Sequence, residues 1–136
     1  MRYIVLFSLF ISIVFSRELV IVSSSNSFLN KLNQKEVVEI YLGKIRRVKG
    51  HKIIPLNLKA NNPLRREFEE KILKKDRKWL AMYWLKAHYH GHHPPKVFDS
   101  KKAIILFLKR FENAICYLDK KSAKKEGLKI LYESSK

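Results

Sequence analysis

A single cysteine, Cys116, rules out an internal disulfide framework. It lies in an apolar run, so a buried, inert thiol is expected. With only four glycines in 136 positions, no Gly-rich nucleotide loop is present, and neither H-E-x-x-H nor G-x-S-x-G occurs. These absences remove the usual signatures of nucleotide chemistry, zinc proteolysis and serine hydrolysis. Acidic residues are scarce as well: 12 Asp and Glu stand against 29 Lys and Arg, a formal net charge of +17. No internal repeat or long linker divides the chain, and its length fits one small domain with one core.

Such a basic chain first suggests nucleic acid. The lysines, however, are spread along the whole length rather than gathered into one tract, with "KKDRK" (74–78) and "KKSAKK" (120–125) the densest clusters. A specific nucleic-acid partner is not expected. A cationic surface that favours acidic partners without specificity is. The N-terminus weakens the nucleic-acid reading further. Arg2 is a minimal positive n-region, Tyr3 to Phe15 an apolar h-region, and Val14 and Ser16 are small enough for a signal-peptidase site. The apolar run falls short of the ~20 residues that span a bilayer. Residues 1–16 are therefore read as a signal peptide, and 17–136 as a single exported, periplasmic-type domain. The alternative is a retained anchor.

Downstream, Leu19 to Val22 reads as a buried strand and "SSSNS" (23–27) as the turn after it. Val37, Ile40 and Tyr41 have helical spacing, with Gly43 as the C-terminal glycine. "KGHK" (49–52) is read as a turn before the strand Ile53 to Leu58. Leu64, Phe68 and Ile72 mark one helix, and Trp79, Leu80, Tyr83, Trp84 and Ala87 a second. A third runs from Ser100 to Phe111, almost wholly apolar from Ala103 to Leu108 and expected to be deeply packed. Ala114 to Leu118 and Leu128 to Tyr132 read as short strands. The order β-α-β-α-α-α-β-β predicts an α/β domain with helices covering a small sheet. Phe68, Tyr83, Trp84, Ile104 and Leu108 are expected to share its core, with Trp79 also a core anchor. Glu67, Glu69 and Glu70 are expected on a helix surface, paired with Lys71 and Lys74.

One join raises a chemical question. Asn61-Asn62-Pro63 starts a helix, Asn62 being a strong N-cap and Pro63 suited to the first helical position. Arg65 and Arg66 then fall in the first turn, at the positive end of the helix dipole. Either an anion sits there to justify them, or they are solvated charges.

Four segments together resemble the phosphate-binding proteins of ABC transporters. They are "VVEIYLGKIRRVKGHKIIPLNL" (37–58), "PLRREFEEKIL" (63–73), "AMYWLKAHYHGHHPPKVF" (81–98) and "ENAICYLD" (112–119) with "LKIL" after it. The resemblance covers about residues 19–132. It implies a type-2 periplasmic-binding-protein-like domain. At this length it would be one lobe of a two-lobed fold, a small mixed sheet covered by helices. It also implies a non-enzymatic binding module with no cofactor and phosphate or another oxyanion as ligand. A protein partner or a second copy would replace the missing lobe. In those proteins the helix start reads R-x-d-x-S-G-T-R-x-x-F. Aligned on Phe68, this chain has Asn62, Pro63 and Leu64 for S-G-T, with Asn57 just ahead of the first arginine's position. Arg65 alone is retained. Neither Asn57 nor its neighbour Leu58 carries that arginine's charge, Pro63 lacks the N–H and Leu64 the hydroxyl, so oxyanion binding is expected to be weak. The candidate anion ligands are Asn61, Asn62 and Arg65. Ser24 and Ser25 join them because ligands of open α/β sheets gather at strand carboxyl ends.

"HYHGHHPP" places His88, His90, His92 and His93 within six positions. Histidine is the commonest metal ligand, so zinc, copper or nickel is a competing reading. No glutamate lies within the cluster and no thiolate is near, so weak, reversible binding is the expectation. Three readings therefore stand open: an oxyanion-binding module, an envelope protein-interaction module on the same fold, and a histidine-based metal binder.

Overall fold

The computed structural model of the chain describes residues 18–134. The signal peptide read over residues 1–16 lies outside them. Strand β1 (Leu19–Ser23) leads to helix α1 (Gln34–Tyr41), a hairpin of β2 (Arg47–Val48) and β3 (His51–Lys52), and β4 (Ile54–Leu58). Helix α2 (Pro63–Phe68) runs straight into a π-helical turn (Glu69–Leu73), followed by α3 (Arg77–Tyr89) and β5 (Lys96–Phe98). Helix α4 (Lys101–Arg110), β6 (Ala114–Asp119), α5 (Lys120–Lys125) and β7 (Lys129–Glu133) complete the domain.

The main sheet has the order β5-β4-β6-β1-β7. Strand β4 is parallel to both β5 and β6, and β1 is antiparallel to both β6 and β7. This is the mixed α/β sheet expected. Strands β1 and β6 are continuous apolar runs because helices cover both of their faces; their residues Leu19–Val22 and Ala114–Leu118 are buried. The core joins them to Val37, Ile40 and Tyr41 of α1, Leu64 and Phe68 of α2, and Ile104 and Leu108 of α4. At its centre Phe68 stacks on Tyr117 (ring centroids 4.3 Å apart) and tilts against Tyr41 (4.5 Å).

Local chemistry explains the boundaries. Asn33 and Glu36 form a reciprocal capping box at the start of α1, with contacts of 2.8 and 3.1 Å. Gly43, at φ +73°, ends that helix in a conformation that disfavours other residues. Lys49 and Gly50 both take positive φ, which closes "RVKGHK" into a tight hairpin rather than a plain turn.

Several expectations are corrected. Tyr83 and Trp84 are half-buried and Trp79 is 39% exposed, because α3 rests only Leu80 fully against the core. Helix α4 is amphipathic, not deeply packed: Ile104 and Leu108 point inward while Leu106 is 61% exposed. "KKSAKK" folds as α5, since Asp119 caps it and Ala123 packs under it. Cys116 is buried as expected, and desolvation pushes its thiol up and keeps it neutral.

The α5 cap also sets an acid limit on stability. Burial pushes the Asp119 carboxyl up, but hydrogen bonds from the Ser122 hydroxyl (2.8 Å) and amide (3.0 Å) and from Lys101 (3.2 Å) outweigh it. The carboxyl is therefore held below its ordinary value. Such a group contributes stability that is present above its unfolded value of ~3.9. That stability is lost as pH falls through the folded value. Acid unfolding followed by circular dichroism is expected to show Asp119→Asn losing less stability than the parent chain below about pH 4.

Candidate functional site

The carboxyl end of β4 carries the residues that the sequence singles out, and the chain itself satisfies most of them. The Asn57 side chain accepts from the Tyr117 hydroxyl, which in turn accepts from the Leu58 amide at 2.9 Å. Burial pushes the Tyr117 hydroxyl up, so it stays a neutral donor. Asn62 caps α2 by accepting from the Leu64 amide at 2.9 Å, while Asn61 is exposed in the preceding turn. Helix α2 has only six residues and begins with Pro63, so it offers few free N–H groups.

Arg65 turns inward. Its Nη1 donates to the Leu58 carbonyl at 2.8 Å, and its Nε faces Glu69 Oε2 at 3.5 Å. Arg77, at the start of α3, reaches Glu69 Oε1 at 3.1 Å and the Ala60 carbonyl. Glu69 is only 6% exposed. It is therefore the internal counter-ion of two arginines, not a surface partner of Lys71 and Lys74. The π-helical turn opens at this residue, and such turns often mark functional sites. A cavity of about 120 Å³ lies between Asn57, Arg65, Glu69, Tyr41 and Trp84. Arg66 is exposed. The question of the two arginines resolves into one internal ion pair and one surface charge.

The structure does not bring Ser24 and Ser25 to this edge. Val22 pairs with Cys116 and Ile54 with Ala114, so the end of β1 lies beside the start of β6, at the opposite edge from Asn57. Ser24 is buried and its hydroxyl accepts from the Asn26 amide at 3.3 Å, a local turn bond. Ser25 is exposed.

The histidines lie at the end of α3, where Gly91 (φ +76°) ends the helix. His88, His90 and His93 are exposed, and the rings of His88 and His93 lie 6.0 Å apart. His92 is half-buried, its Nε2 3.1 Å from Arg46 Nη2. A guanidinium only donates, so this nitrogen accepts and the ring proton sits on Nδ1. A ring nitrogen facing a cation is poorly placed to hold a metal. Among the described residues, no three His, Cys, Asp or Glu side chains are gathered to hold one.

Two features had little sequence signal. A groove of about 370 Å³ runs over the amino end of β4, between the loop after α1 and residues 91–96. It joins the smaller cavity beneath Trp84, Tyr41, Pro94 and Pro95, which line both. Helix α3 also shows an exposed apolar ridge of Met82, Leu85 and Tyr89, spaced along one side. That spacing was readable, but ridge and core spacing look alike in one sequence.

Comparison with known proteins supports this architecture through structure alone. No protein-family model matches the chain, and no curated protein matches it by sequence. Among solved structures it is similar to an ABC-type phosphate transport receptor from Vibrio cholerae (18% identity, TM-score 0.66). It is also similar to a protein assigned as a phosphate ABC transporter substrate-binding protein, with bound phosphate, from Clostridium perfringens (18%, 0.67). A third is PstS from Borrelia burgdorferi (16%, 0.63). Each match covers 85% of this chain but only 44–46% of the other. The chain thus has a periplasmic-binding-protein-like fold and spans less than half the length of these proteins.

Proposed function

We propose that this chain is an exported, non-enzymatic binding module built from one substrate-binding-protein-like lobe, and that it binds phosphate or another oxyanion weakly at best. The observation that carries this is the inward turn of Arg65 onto the Leu58 carbonyl and Glu69. The one arginine that the resemblance keeps is thereby spent inside the protein. A ligand at this edge would have to displace a carboxylate 3.5 Å away and reach N–H groups that Pro63 does not supply. Export rests on the h-region Tyr3 to Phe15. Among the described residues no helix is long and apolar enough to cross a membrane.

The test is a thermal-shift screen of the mature protein against phosphate, sulfate and other oxyanions. A ligand specific to the folded state raises the melting temperature with dose. Shifts are expected to stay small at millimolar anion and to vanish with added salt. A saturating, salt-resistant rise at micromolar phosphate would restore a tight receptor.

A second reading draws on α3. The exposed ridge Met82–Leu85–Tyr89 is the kind of apolar patch that protein partners cover. On this reading a protein partner or a second copy covers a face that a second lobe would otherwise meet. Light scattering on the parent chain and Leu85→Glu tests the second copy. A concentration-dependent dimer lost in the variant would support it, and a monomer throughout would leave only another protein.

A further inference from the structure

The groove over the amino end of β4 combines an apolar floor with charged walls. Its floor is apolar and aromatic, built from Ile53, Pro55, Pro94, Pro95 and the ring of Trp84. Its charged walls carry one sign only: Arg46, Lys52 and Lys96 line it, and no acidic residue does. Among the described residues, none of these three cations has a carboxylate within ion-pair distance. Among the described residues, the Arg46 side chain bonds only to the Gly43 carbonyl and to His92. Lys96 stands 5.5 and 5.7 Å from the Phe98 and Phe107 rings. His92 adds a buried Nδ1 without a hydrogen-bond partner.

Cations without a carboxylate partner beside a low-dielectric floor gain from a bound anion. An inorganic anion would leave the floor uncovered, and a neutral apolar molecule would leave the cations unmet. Only a ligand with both parts uses the whole groove, which at about 370 Å³ falls within the ~300–1,000 Å³ of small-molecule sites. We infer that this groove binds an amphipathic organic anion. A flat apolar body would lie under Trp84, and a carboxylate-like head would meet Arg46. Arg46, Lys52 and His92 line this groove and not the adjoining cavity at the Asn57–Arg65 edge, so variants at these residues test the inference apart from the oxyanion reading.

The probe is 2-naphthoate, titrated into the full chain and followed by two-dimensional 1H–15N NMR. Trp84→Phe identifies the Trp84 indole signal. Saturable shifts are expected at the Trp84 indole and in the backbone of Gly43–Arg46 and Gly91–Lys96. Binding should weaken about tenfold or more in Arg46→Gln, which removes a charge-assisted hydrogen bond to the head group. Arg46 is exposed, so that variant should fold; the undisturbed remainder of its spectrum checks this. The neutral naphthalene-2-methanol should bind at least tenfold more weakly. Inorganic phosphate should leave the Trp84 indole unmoved. Equal binding of acid and alcohol, an unchanged affinity in Arg46→Gln, or shifts confined to Asn57–Arg65 would each overturn the inference.

Discussion

Truncation of Phe68 to alanine is expected to cost about 3–5 kcal/mol of folding stability, measured by urea unfolding. Phe68 is fully buried and stands between Tyr41 and Tyr117, rings that belong to α1 and to the central strand β6. Removing it deletes one of the contacts that join the two layers and leaves a cavity that two hydrogen-bonded tyrosines cannot close. Tyr41 is tied to the Leu56 carbonyl at 2.9 Å, and Tyr117 is held by Asn57 and Leu58. The same substitution at Trp84 is expected to cost less, because that ring is half-buried over a groove and its loss is shared with water. Equal costs at the two positions would mean that α3 is packed as tightly as α2.

The second large effect is expected at Glu69. Removing one partner of a buried ion pair costs about 3–5 kcal/mol, because the other charge is left uncompensated. Here Arg77 is half-exposed and can turn into water, whereas Arg65 is held at the Leu58 carbonyl. Glu69→Ala is therefore expected near the lower end, about 3 kcal/mol. The double variant Arg65→Ala/Glu69→Ala should cost less than the sum of the two single changes, since neither charge is then left alone. A cost under about 1 kcal/mol in Glu69→Ala would mark an ordinary surface pair. Glu69→Ala should also leave Arg65 without its carboxylate, so any phosphate affinity should rise in that variant.

Strongly patterned elements were legible from the sequence. The continuous apolar runs of β1 and β6 fixed the centre of the sheet, and Leu64–Phe68–Ile72 fixed the face of α2 that packs on it. Strand β5 was missed because its three residues, Lys96–Phe98, carry no alternation to read and follow two prolines. Helix α5 was hidden in a lysine run that looks like solvated coil until Asp119 is seen to cap it. Trp79, Trp84 and Leu106 show the limit of helical spacing, which says that residues share a face but not whether anything covers it. At the site, Asn57, Pro63 and Leu64 are the departures from the resembled pattern on which the proposed weak anion binding rests. Glu69 did not announce itself as a buried counter-ion. Its spacing four residues after Arg65 fits a surface pair equally well, and Arg77 reaches it only through the π-helical turn and the folded-back start of α3.

The claim that the chain's own side chains close the ligand edge of this lobe is tested most directly by calorimetric titration of the mature protein with inorganic phosphate at moderate salt. The expected result is no binding tighter than about 10 μM, with any residual heat falling as salt is raised. Submicromolar affinity that persists in high salt would contradict it, because such binding requires an unscreened, desolvated anion at the Asn57–Arg65 edge and an Arg65 that has left Glu69.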